Sequence, residues 1–103
     1  MINKFCKAPL WDCTISLEKV ATGAEKADLV IKNARLVNVC TREIIDNTSV
    51  AVVKGRIALV GDAEHCIGEN TTVIDAKNKY LAPAFMDGHI HIESSMLSVG
   101  EYA

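Results

Sequence analysis

The apolar residues of this chain fall into short runs and not into long helical stripes. From Asp28 onward, Leu29-Val30-Ile31, Leu36-Val37-Asn38-Val39, Val50-Ala51-Val52-Val53, Ile57-Ala58-Leu59-Val60, Thr72-Val73-Ile74-Asp75 and Tyr80-Leu81 are separated by turn-prone residues, which is the pattern of short strands. Asn33 reads as a turn between the first two. Lys54-Gly55-Arg56 joins the third and fourth as a hairpin, with Gly55 free to take positive φ, and Gly61-Asp62 ends it. Strands at this spacing predict an antiparallel sheet or half a sandwich. Residues 1–27 read as an arm holding either one short helix or an ordered loop. A helix there would be capped by Thr14 or Ser16, carry Glu18 in its first turn, bury Leu17, Val20 and Ala21, and stop at Gly23.

Past Pro83 the pattern changes, and apolar and polar positions alternate strictly from Met86 to Glu93, with Gly88 in the apolar register. On a strand, Asp87, His89, His91 and Glu93 project to one side and Met86, Ile90 and Ile92 to the other. Imidazoles two residues apart sit about 6–7 Å from each other at Cα. Both rings can then converge on one cation, given metal–nitrogen bonds of about 2.0–2.1 Å. The neighbouring carboxylates can orient those rings or approach the metal themselves. Such a pair also arises by chance on ordinary strands. Two histidines do not complete a catalytic metal site, which commonly has three protein ligands. The remaining histidine, His65, reads as a solvated loop residue. His91-Ile92-Glu93 also matches half of the zinc cytidine deaminase pattern, which requires a downstream Pro-Cys-x-x-Cys. Cys6, Cys13, Cys40 and Cys66 all lie upstream, so these residues do not complete that pattern.

Composition narrows the classes further. At 103 residues the chain supports one small domain or part of a larger one, and with half its residues hydrophobic and 23% charged it is globular and not disordered. A net charge of −2 provides no basic face for nucleic acid or for an anionic membrane. The longest apolar runs, Val50–Val53 and Ile57–Val60, are too short to span a bilayer. Lys4 and Lys7 are followed by Pro9 and Asp12, which is not the course of a signal peptide. Without a Cys-x-x-Cys pair, reduced thiols in a cytoplasmic protein are expected ahead of two disulfides or a structural zinc.

The run Pro83-Ala84-Phe85-Met86-Asp87-Gly88-His89-Ile90-His91 resembles the Pro-Gly-Phe-Ile-Asp-x-His-x-His signature of the amidohydrolase superfamily. Its continuation, Ile92-Glu93-Ser94-Ser95-Met96-Leu97, is similar to the branch of that superfamily that deaminates adenine. Ala27-Asp28-Leu29-Val30-Ile31-Lys32-Asn33-Ala34 and Lys54-Gly55-Arg56-Ile57-Ala58-Leu59-Val60-Gly61 fit as well, so the resemblance runs from about residue 15 to the end. It implies a mainly β fragment: the N-terminal half of a β-sandwich plus the first strand of a (β/α)₈ barrel. Residues 1–27 are then an arm with a short helix, 28–81 the sandwich segment, and 82–103 the first barrel strand and the start of its βα loop.

Carried over to function, the resemblance makes His89 and His91 metal ligands at the mouth of the barrel. A divalent cation (Mn²⁺, Fe²⁺ or Zn²⁺) would activate hydroxide for attack on C6 of adenine, releasing ammonia and leaving hypoxanthine. Glu93 would assist catalysis, and Asp87 would orient or pack beside the site without binding metal. The expected partners are adenine as small-molecule substrate and further copies of the chain, with neither nucleic acid nor membrane. Ala84 departs from the usual glycine of the signature, which would strain the backbone if that position needs positive φ. The 103 residues alone, lacking the other ligands, are expected to hold no metal firmly and to be inactive. Two other readings remain open: an amidohydrolase acting on cyclic amides, and a small non-catalytic β domain.

Overall fold

The computed structural model describes residues 9–84, which form a mainly β unit with one helix. The helix, α1, spans Leu10–Thr22. It starts earlier than the candidate caps Thr14 and Ser16 suggest, with Pro9 as the preceding residue. Proline suits a helix start, because it has no N–H to leave unpaired and its fixed φ is already helical. Asp12, and not Glu18, occupies the first turn and faces the positive end of the helix dipole. Thr14 lies inside the helix, where its hydroxyl donates to the Leu10 carbonyl at 2.8 Å. The helix stops at Gly23, which takes a left-handed φ of 87° and donates its N–H back to the Val20 carbonyl.

Five strands follow in one sheet: β1 (Leu29–Asn38), β2 (Glu43–Val53), β3 (Arg56–Gly61), β4 (Thr72–Asp75) and β5 (Tyr80–Leu81). The order is β3-β2-β1-β4, with β5 also pairing β1. β1, β2 and β3 form an antiparallel meander. Lys54 and Gly55 make the β2–β3 turn with φ of 52° and 71°, the positive pair that a two-residue hairpin of this twist requires. β4 and β5, however, run parallel to β1. The sheet is therefore mixed, not antiparallel throughout as its spacing predicted.

Asn33 also departs from expectation. It is not a turn but a bulge inside one continuous strand, with φ of 57° and a register shift between Ile31 and Ala34. Asparagine tolerates that backbone region better than most residues. The bulge is where β1 changes neighbours along one edge, pairing β4 through Leu29–Lys32 and β5 through Arg35–Leu36. The Asn33 side chain donates to Asp75 at 3.1 Å, and its carbonyl accepts from the Asn78 N–H at 2.9 Å, so the β4–β5 turn is fastened to the bulge. Asp75 also accepts from the Lys77 N–H, and these two bonds hold its carboxyl below the usual carboxylate range. Both β1 and β2 end in asparagine- or glycine-directed turns. At the β1–β2 turn, the Asn38 carboxamide accepts from the N–H groups of Cys40 and Thr41.

α1 covers one face of the sheet. Cys13, Leu17 and Val20 recur at helical spacing on one side. Cys13 and Val20 are buried, and Val20 and Leu17 join Val30, Ala51, Val53, Leu59 and Ala63 in the core. Small residues at Ala51, Ala58 and Ala63 let the helix approach the strands closely. A single 3₁₀ turn, Glu64–Cys66, closes the end of this core. The Cys66 thiol donates to the Val20 carbonyl at 3.2 Å, and burial pushes its pKa up. His65, expected to be merely solvated, is exposed, yet its Nε2 lies 2.9 Å from the Ala21 carbonyl. A carbonyl can only accept, so Nε2 carries the proton.

Gly23 thus meets two demands at once. A Cβ there would sit at positive φ and 3.2 Å from His65 Cδ2. Gly23→Ala should lower stability by about 1–2 kcal/mol, read as a lower urea midpoint by circular dichroism. An unchanged midpoint would mean that the helix end relaxes freely.

Candidate functional site

The four residues to which the sequence assigns chemistry, Asp87, His89, His91 and Glu93, lie outside the described residues. Ala84 is described and exposed. Among the described residues no group of three histidine, cysteine or acidic side chains could hold a metal ion. Cys13, Cys40 and Cys66 are free thiols, and no helix among the described residues is long and apolar enough to cross a membrane.

What the described residues do define is the base from which that segment departs. β5 is only two residues long and makes two ladder pairs, Arg35↔Tyr80 and Leu36↔Leu81. Side chains reinforce it. The Arg35 guanidinium donates through Nε to Asp46 at 3.0 Å and through Nη1 to the Tyr80 hydroxyl at 3.3 Å. Its central carbon stands 5.1 Å from the centre of the Tyr80 ring. The hydrogen bond to Asp46 is the main reason the Arg35 pKa is raised. This arginine, aspartate and tyrosine come from β1, β2 and β5, and the sequence reading singled out none of them. Their only linear signal is charge or ring at strand positions, which is common on solvated faces. Being exposed, the trio ties strands together and does not form a reaction centre.

The sheet's second face is the larger surface. Across it runs a row formed by Ile74, Ile31, Val50 and Val60, each residue in register with the next. A second row places Leu29, Val52 and Ile57 side by side. Val50 at the middle is buried, while Ile57, Val60 and Ile74 towards the edges are exposed. Where this face meets the end of β1, a shallow apolar depression of about 490 Å³ includes Val37, Leu81, Ala82 and Pro83 in its lining. The chain therefore leaves the sheet along the rim of this apolar face, which no helix among the described residues covers.

The chain matches no family model. It is 68% identical over all 103 residues to an adenine deaminase of Clostridium botulinum, of which it covers 17%. It is 50% identical over 97 residues to an adenine deaminase of Moorella thermoacetica and 47% identical over 97 residues to one of Ruegeria pomeroyi, covering 16% of each. The chain thus spans about one sixth of the length of the curated relatives it matches. A crystal structure of a Bacillus thuringiensis protein is 28% identical and covers 64% of this chain and 90% of that one, with a TM-score of 0.48; that score is too low to carry a fold argument. Similarity at the level of the Clostridium protein is sustained from the first residue of this chain to the last, so the chain is similar to one stretch of proteins named adenine deaminase, consistent with their N-terminal part.

Proposed function

We propose that this chain is the N-terminal portion of a metal-dependent enzyme that hydrolyses adenine to hypoxanthine and ammonia. The observation that carries the reading is the 68% identity over the whole chain to a protein named adenine deaminase. Asp87-Gly88-His89-Ile90-His91 within it supports the chemistry. The sheet of β1 to β5 is one half of a β-sandwich, and its uncovered apolar face is where the other half packs. Residues 84–92 begin a (β/α)₈ barrel.

In that setting His89 and His91 hold a divalent cation, and imidazole pairs at i and i+2 suit Mn²⁺, Fe²⁺ or Zn²⁺. The ion supplies Lewis acidity, which makes water nucleophilic near neutral pH. Asp87 orients an imidazole, and Glu93 moves a proton to or from the reacting purine. Three free thiols among the described residues fit a reducing, cytoplasmic setting. Further copies of the complete polypeptide complete the assembly.

A chimera tests the reading. In the Clostridium botulinum relative, the segment matching this chain is replaced by the 103 residues here. The chimera should deaminate adenine at a rate within about tenfold of the parent, a difference of less than about 1.4 kcal/mol in barrier. A soluble, metal-loaded chimera that releases no ammonia from adenine would overturn the proposal. Turnover of cyclic amides instead would move the chain to another branch of the amidohydrolases.

A further inference from the structure

Helix α1 carries a second apolar surface that its packing on the sheet does not use. At 100° per residue, Trp11 and Ile15 lie on the side of the helix opposite Cys13, Leu17 and Val20. They are one turn apart, so their side chains adjoin. Trp11 is 82% exposed and Ile15 68%. Two of the polar residues near this side are less polar than they read. Thr14 donates its hydroxyl to the Leu10 carbonyl and Thr22 donates to the Glu18 carbonyl, so both have turned their oxygen inward to the helix backbone. What remains outward is an indole, a branched aliphatic chain and two threonines whose hydroxyls are spent, with the exposed Glu18 one turn beyond Ile15 at the C-terminal margin of the patch.

We infer that the Trp11–Ile15 face of α1 is a docking surface for the part of the same polypeptide that follows this region in the full-length enzyme. The inference rests on the proposal that the chain is the N-terminal portion of an adenine deaminase. Two observations select that occupant. The first is length. The relatives continue for about five times the span matched here, and a covalently attached partner acts at millimolar effective concentration, which a separate protein rarely reaches. The second is area. A tryptophan buries roughly 150–250 Å², so this patch falls well short of the ~800 Å² per partner of a standard specific interface. A second copy could not be held here by this patch alone, whereas an attached segment needs no such area. The patch and the open sheet face also lie on opposite sides of the unit, with the core between them.

Trp11 is the only tryptophan of the chain, which makes the test direct. In the isolated 103-residue chain, Trp11 should emit as a hydrated indole, be fully open to acrylamide, and be replaceable by alanine with no change in thermal midpoint. In the chimera, Trp11→Ala should lower the midpoint by about 3 °C or more. The difference in emission between the chimera and its Trp11→Phe variant should be blue-shifted and shielded from acrylamide. The Phe variant also keeps the test readable if the Ala variant fails to fold. An active chimera in which Trp11 stays hydrated and Trp11→Ala changes nothing sinks this inference and leaves the proposed function standing. A chimera that shields Trp11 yet turns over no adenine does the reverse. Concentration-dependent association of the isolated chain, abolished by Trp11→Ala, would assign the face to a second copy and overturn the inference.

Discussion

In the chimera, His91→Ala or His89→Ala should lower adenine turnover by more than about a hundredfold and strip much of the bound metal. Even residues that only support a metal ligand typically cost 10–100-fold in affinity or activity when removed. A direct ligand loss adds two effects, weaker retention of the ion and a smaller depression of the pKa of the water it activates. Metal content by elemental analysis and ammonia release by a coupled assay separate the two. Excess metal should restore occupancy before it restores rate, because the second effect persists at full loading. Normal metal content with normal turnover in His91→Ala would remove that histidine from the site. Asp87→Asn should act more weakly, since it changes the orientation of a ring and not the number of donors.

The second large effect concerns folding. Val30→Asp should leave the isolated chain unfolded at 25 °C. Val30 is fully buried on the central strand and sits within the core beneath α1. A carboxylate there has no partner, and burying an unpaired charge costs several kcal/mol even after relaxation. Domains of this length have a total stability of about 5–15 kcal/mol, so one such residue consumes most of it. Val73→Asp is the control. Val73 pairs directly with Val30 across β1 and β4 but is 40% exposed at the sheet edge. It should retain a cooperative transition in urea. If both variants melt alike, the core does not sit where the packing of α1 puts it.

How far these features could be read in advance differs from element to element. The β2–β3 hairpin is legible because two apolar runs flank Lys54-Gly55, and turn chemistry is local. The end of α1 is legible for the same reason, in Gly23. The first half of β2, Glu43–Ser49, is not. It is mostly exposed and polar, so nothing in its pattern separates it from a loop, and only pairing with β1 makes it a strand. Asn33 misleads because asparagine at positive φ serves turns and bulges equally well. The parallel placement of β4 and β5 depends on contacts between residues far apart in the chain, such as the Thr71 hydroxyl donating to the Ala27 carbonyl across 44 positions. No local window contains that information. The metal-ligand reading is the converse case. Asp87, His89, His91 and Glu93 announce themselves through residue type and alternation alone, and they lie outside the described residues.

The mixed sheet has a kinetic corollary. The β1–β2–β3 meander closes through short turns, so it can form early and with little loss of chain entropy. β4 and β5 can join β1 only after the segment from Asp62 to Thr71 has crossed back over the unit, and they bring few ladder pairs when they arrive. Their docking is the late and reversible step. In hydrogen exchange this predicts two tiers of protection, with the amides of β5 opening well before those of β2. The connection through Ala82 and Pro83 is therefore tethered to the shortest strand of the sheet, the one expected to open first.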